Sequence, residues 1–172
     1  MKMPPQMRLR TDMFLSKRHI GALTGIVFLR SIVPSDAVFW AVITRAVILV
    51  RDLVAKSEKL ARAPITFTDD VIIEGTVKDV SSLITFMRDA LCHIESDRHM
   101  AAENIQVTLN VAPREGLMFK LDEFEMRNDY DDDIALFVGR QRMYVERHLL
   151  RAYRMAISNL DKYLEQFPDD AS

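Results

Sequence analysis

The sequence is poor in everything that cross-links, breaks or anchors a chain. A single cysteine, Cys92, excludes an internal disulfide and fits a reducing compartment. Five glycines and six prolines are too few for a loop-dominated or low-complexity chain. The formal net charge of -2 excludes a protein that coats nucleic acid non-specifically. Any RNA contact must therefore come from a local basic face. The longest apolar stretch near the N-terminus, residues 20–33, is too short to cross a bilayer and is broken by Arg30. No small-residue cleavage pattern follows a clean apolar core there, so a cytoplasmic protein without membrane partners is expected. A phosphate-cradling Gly-rich loop, a nucleophile elbow and a dinucleotide fingerprint are all missing. Cys92, His93 and His99 do not form a zinc pattern. Asp129, Asp131, Asp132 and Asp133 lack the Gly and the terminal Glu of a calcium loop and read as a solvated turn and cap. The expectation is a protein with no metal and no cofactor.

What is present is an ordinary folding composition, 49% hydrophobic and 28% charged, on a chain long enough for one domain with a real core. Residues 1–12, with Pro4, Pro5 and several basic side chains, read as a mobile segment, residues 13–167 as a single domain, and residues 168–172 as an acidic tail. Residues 13–33 can pack as a short helix weakened by Gly21 and Gly25. Pro34-Ser35-Asp36 is a helix-start signal, and a long helix is expected from Asp36 to Ala61, ending before Pro64. Its apolar residues cover most sides, and Arg45, Asp52, Lys56 and Lys59 form a narrow polar stripe. Such a helix belongs at the centre of a bundle or in a dimer interface.

A second long helix is expected to start near Thr68-Asp69-Asp70 and to end near Ser96-Asp97. Ile73, Val77, Val80, Ile84, Met87, Leu91 and Ile94 step by four and three along it as a packing seam. Ile105, Val107, Leu109 and Val111 then alternate with polar residues. A turn at Pro113 to Gly116 leads into Leu117 to Leu121, which reads as a β-hairpin. After the acidic stretch Asp122 to Asp133 comes a last helix, Arg140 to Phe167. One of its faces carries Leu149, Leu150, Tyr153, Ile157, Leu160 and Leu164, and the other carries Arg140, Arg147, Arg151 and Arg154. The arginine face is either solvated or a contact surface for RNA. His19 and His148 have no partner in sequence and read as structural. The fold class expected from this pattern is mainly α, with a small β-hairpin before the last long helix.

One constellation carries chemistry. Arg88-Asp89-Ala90-Leu91-Cys92-His93 occupies the last turns of the seam helix, and Asp89 stands four residues before His93, so carboxylate and imidazole are expected on one face. Such a carboxylate can fix the ring's tautomer. A cationic Arg beside a poised His suits a phosphodiester: one moves a proton and the other balances phosphate charge. The simpler reading is a structural ion-pair cluster of Arg88 and His93 with Asp89 and Glu95 at a helix end.

The stretch Phe86-Met87-Arg88-Asp89-Ala90-Leu91-Cys92-His93-Ile94 resembles the motif helix of HEPN domains, in which Arg, a polar residue and, after a short gap, His stand near the end of a helix. The similarity extends over residues 36–165, through the hairpin, the Tyr130-Asp131-Asp132-Asp133-Ile134 loop and the Arg-rich last helix, but only the short motif is diagnostic. The resemblance implies a four-helix bundle and a homodimer whose two motifs face each other across a cleft. It further implies a metal-independent ribonuclease of a toxin–antitoxin or phage-defence system, with RNA and an antitoxin or regulatory protein as partners. Arg88, Asp89 and His93 would then be catalytic, and Arg140, Arg147, Arg151 and Arg154 would bind RNA. The same resemblance leaves open a non-catalytic helical scaffold or a nucleotide- or partner-binding module.

Overall fold

The structure is a computed structural model that describes residues 4–23, 37–93, 97–121 and 124–167. The start signal at residues 34–36, Glu95 and the acidic tail at 168–172 lie outside the described residues.

Helix α1, Pro5–Leu23, begins at a proline, whose missing N–H costs nothing in the first helical turn. Leu9, Met13, Ser16 and Ile20 are buried on one face. Residues 5–12, within the N-terminal segment expected to be mobile, form the first turns of this helix. It is tied to the far end of the chain, where the Arg10 guanidinium donates to the Phe167 carbonyl at 2.9 Å and Lys17 pairs with Asp161 at 3.1 Å. Helix α2, Ala37–Ala61, buries Phe39, Ile43, Ala46, Val47, Val50, Leu53, Val54 and Ser57. That wide face agrees with its apolar sequence, and α2 is the central helix, packed against α1, against α3 (Val80–Cys92) and against α4 (Arg151–Leu164). It stops where Arg62 turns to φ 54° and the Ala63 N–H returns to the Ser57 carbonyl at 3.2 Å, a left-handed C-terminal cap ahead of Pro64.

The second long helix is shorter than its hydrophobic seam predicts. Residues 62–79 are not helical, and α3 starts at Val80 behind a capping box in which Asp79 accepts from the Ser82 N–H at 2.8 Å and the Ser82 hydroxyl accepts from the Asp79 N–H at 2.9 Å. Gly75, at φ 59°, sits in a turn closed by the Val77 N–H on the Glu74 carbonyl. Ile73 is exposed rather than part of the seam.

The strands overturn the expected fold class. After a 3₁₀ turn, Asp97–His99, come β1 (Met100–Ala102), β2 (Ile105–Gln106), β3 (Asn110–Ala112), β4 (Gly116–Leu121), β5 (Phe124–Asn128), β6 (Ala135–Val138) and β7 (Gln141–Tyr144). They form two hairpins, β1–β2 and β4–β5, and an antiparallel sheet of order β3-β6-β7. The molecule is therefore α+β, with helices first and a strand-rich C-terminal region, and not a mainly α four-helix bundle with one hairpin. The hairpin expected across Pro113–Gly116 does not form. Instead β3 pairs with β6, Val111 opposite Leu136, and β4 pairs with the part of the acidic stretch that forms β5.

The last helix is also shorter than expected, because Arg140 to Tyr144 belong to a two-residue turn and to β7. A π-helical stretch, Val145–Leu150, leads into α4.

Strand β6 explains how the two halves join. All four of its residues are buried, and their side chains alternate between two cores. Leu136 and Val138, with Val111 and Met143, face the helices. Ala135 and Phe137, with Ala112 and Tyr144, face a second cluster made with Ala101, Val107, Phe124 and Met126.

Candidate functional site

The capping box and the buried Val80, Leu83, Ile84, Met87 and Ala90 fix α3, and so fix where its last turns project. Arg88 and Asp89 are half-buried in those turns. His93 is the first residue beyond the helix, with extended backbone (φ -129°, ψ 94°) and its N–H on the Ala90 carbonyl. Its ring is exposed.

This geometry changes the role expected of Asp89. Helical spacing would set His93 above Asp89, but His93 has extended backbone beyond the helix, and no hydrogen bond or ion pair joins it to Asp89 among the described residues. The carboxylate instead takes Arg88 Nη1 at 2.9 Å and the guanidinium of Arg98 from the 3₁₀ turn. Asp89 thus holds two arginines in place beside the helix end, and His93 follows as the first residue beyond that end. The ring of His99, itself buried, contacts the His93 carbonyl oxygen through Nε2 at 3.1 Å.

Arg98 is a residue that the sequence reading missed, and it belongs to two features at once. It pairs with Asp89, and its guanidinium lies 5.6 Å from the centre of the Phe86 ring. It also lines a cleft of about 350 Å³ with Phe86, Glu74, Asp97, Arg140 and Gln141. Gly139 in the β6–β7 turn makes this possible. At φ 54° it suits the first position of a tight hairpin turn, and a Cβ there would stand 2.1 Å from the Arg98 carbonyl oxygen. Only glycine lets that turn press on the backbone of Arg98. The signal in the sequence is the Gly139-Arg140 pair between Ala135–Val138 and Gln141–Tyr144, a two-residue hairpin turn.

The four arginines expected to bind RNA are separated and paired. Arg140 lies in the turn, not on the helix, and binds Glu74 at 3.1 Å. Arg147 binds Asp132 and Asp133 and stacks on Tyr130, its guanidinium 3.6 Å from the ring centre. Arg151 binds Asp69 at 3.0 Å and lies over Phe67. Arg154 binds Glu146 at 2.7 Å. Each is matched by a carboxylate, which lowers the positive potential such a stripe offers to a phosphate backbone. The acidic loop is accounted for in the same way. Asp133, buried, accepts from the N–H groups of Ile134, Glu146 and Arg147 at 2.7, 2.8 and 2.9 Å and so caps the π-helical stretch. Asp129 takes Arg142 and the Tyr144 hydroxyl.

His148 is 0% exposed. Its Nδ1 accepts from the Tyr144 N–H at 3.1 Å, so the proton sits on Nε2, which donates to the Asp69 carbonyl at 2.8 Å. Burial pushes its pKa down, more strongly than the Asp69 carbonyl and the Asp70 and Asp133 carboxylates push it up. A neutral, doubly bonded imidazole is a structural part, as its sequence context suggests. Burial likewise raises the Tyr144 hydroxyl well above its ordinary value.

Among the described residues no group of three or more His, Cys, Asp or Glu side chains is arranged to hold a metal ion, and no helix is long and apolar enough to cross a membrane. Comparison with known proteins finds no family model, no curated protein and no solved structure that matches the chain, so the HEPN resemblance rests on the residues of α3 and its end alone.

Proposed function

We propose that this chain is a cytoplasmic, metal-independent ribonuclease that works as a homodimer, with His93 moving protons and Arg88 and Arg98 stabilising phosphate charge. The observation that carries this reading is an exposed His93 just beyond the end of the helix whose last turns carry Arg88, with Arg88 and Arg98 both held by the Asp89 carboxylate. A ribose 2'-oxygen attacks the adjacent phosphorus and the 5'-oxygen leaves. One proton must be taken from the first and one given to the second. Two copies of His93 facing across a dimer supply both groups, and the arginines offset the charge that grows on the non-bridging oxygens. A protein with this activity needs restraint in its own cell, which fits an antitoxin or other regulatory partner.

A second reading is a non-catalytic binding module. Its support is that the carboxylate meant to orient His93 is engaged by Arg88 and Arg98. The two readings separate when purified protein is incubated with single-stranded RNA in a metal chelator beside Arg88→Ala and His93→Ala. The ribonuclease reading expects cleavage by the unmodified chain and a loss of about a hundredfold or more in each variant. Equal cleavage by all three, or by none, removes it and leaves the binding module.

A further inference from the structure

The cleft beside the motif combines features that recognise a flat, uncharged, hydrogen-bonding ring. Phe86 supplies an aromatic wall with the Arg98 guanidinium above it. Gln141 lines the cleft from β7 and is 3% exposed, and its amide oxygen is buried without a hydrogen-bond partner. An unmade hydrogen bond of that kind is costly, and native structures keep few of them. The amide can turn about its last torsion, exchanging oxygen and nitrogen, so it can meet either an acceptor or a donor edge.

Charge decides what kind of ligand enters. Arg98 and Arg140 are offset by Asp97 and Glu74, all four lining the same cleft, so a phosphate gains little there. A neutral ring with donors and acceptors on its edge gains from all of them: carboxylates accept from exocyclic amino groups, arginines donate to ring nitrogens and carbonyls. The volume of about 350 Å³ is within the range of small-molecule clefts.

We infer that this cleft is a nucleobase subsite, taking one unpaired base of an RNA strand between Phe86 and Gln141. Arg98, shared between the cleft and Asp89, links the bound base to the phosphodiester next to Arg88 and His93. The inference rests on the RNA reading above, and it makes single-stranded RNA the substrate class, since a paired base cannot present its edge to Gln141.

The test is an NMR titration of the full chain with the four ribonucleosides and, separately, with ribose 5-phosphate. At least one ribonucleoside is expected to bind saturably with a millimolar dissociation constant, shifting the Gln141 side-chain amide and the backbone of Phe86 and Arg98. Ribose 5-phosphate is expected to leave them unmoved. Thr76→Tyr, at an exposed position on the cleft rim, fills the space without touching the core and is expected to weaken binding at least about tenfold. Gln141→Leu is expected to do the same. The inference is overturned if no ribonucleoside shifts these residues, if ribose 5-phosphate shifts them equally, or if Thr76→Tyr binds like the unmodified chain. His93→Ala keeps its nucleoside binding on this view, so the subsite and the ribonuclease reading can fail separately.

Discussion

Asp133 shows how much one carboxylate can organise. It accepts three backbone N–H groups at the junction between β6 and the π-helical stretch, and it receives Arg147 Nη1 at 3.3 Å. Asp133→Ala leaves those donors buried and unsatisfied, and the expected cost is about 3 kcal/mol or more, read from a urea unfolding midpoint. Asp133→Asn keeps one acceptor oxygen and should lose less. In the sequence this residue was one of several acidic residues in a run, and nothing local distinguishes it from its neighbour Asp132, whose side chain is mostly exposed. The difference comes from the helix start that folds back over it, which is a tertiary fact.

His148 gives a pH dependence with a definite sign. Its folded pKa is below its ordinary value of 6.5, so the unfolded chain binds the proton more tightly. The contribution to stability is complete above 6.5 and is lost as pH falls from there towards the folded value. Unfolding free energies measured down a pH series should decline over this window. His148→Gln should be less stable at neutral pH and should lack one proton's share of the slope, at most about 1.4 kcal/mol per pH unit. An unchanged slope in the variant would show that His148 is not the titrating group.

At the scale of elements, period and capping signals located α2 closely, because a helix packed on three sides repeats its apolar residues almost continuously. They misplaced the start of α3. Ile73 and Val77 continue the spacing of Val80 and Ile84 by coincidence, while the residue that starts the helix is Asp79, whose side chain closes the capping box with Ser82. Asp79→Ala should cost about 1 kcal/mol, and it should loosen the motif-bearing end less than the start of the helix, as hydrogen exchange along α3 would reveal. Strand β6 was unreadable as a strand for the opposite reason. With a core on each face it has no polar alternation, so Ile134 to Val138 is a plain apolar run. Its pairing with β3, distant in the chain, leaves no local trace, and only the Gly139-Arg140 turn into β7 marks the strand locally. Gly139→Ala tests the joint between these elements: positive φ and the Arg98 carbonyl both oppose it. The expected cost is about 2 kcal/mol or more, with loss of the cleft geometry in the folded fraction.

At the scale of the molecule, helices form one core against the sheet and two hairpins form another behind it, so the sheet transmits position from the strand-rich half to the end of α3. Of the candidate site, Arg88 and His93 were legible because they sit within six residues of one helix and its end. Arg98 was not, because it reaches Asp89 only after the chain has left the helix, and Gln141 was not, because it was absorbed into an expected helix that begins at Val145. The proposed ribonuclease activity is tested most directly by the ends left on a defined single-stranded RNA incubated with the chain in chelator. Attack by the 2'-oxygen leaves a 2',3'-cyclic phosphate and a 5'-hydroxyl, and these ends should appear with the unmodified chain and vanish with His93→Ala. The same ends at the same rate from His93→Ala, or no cleavage from either protein, would contradict it.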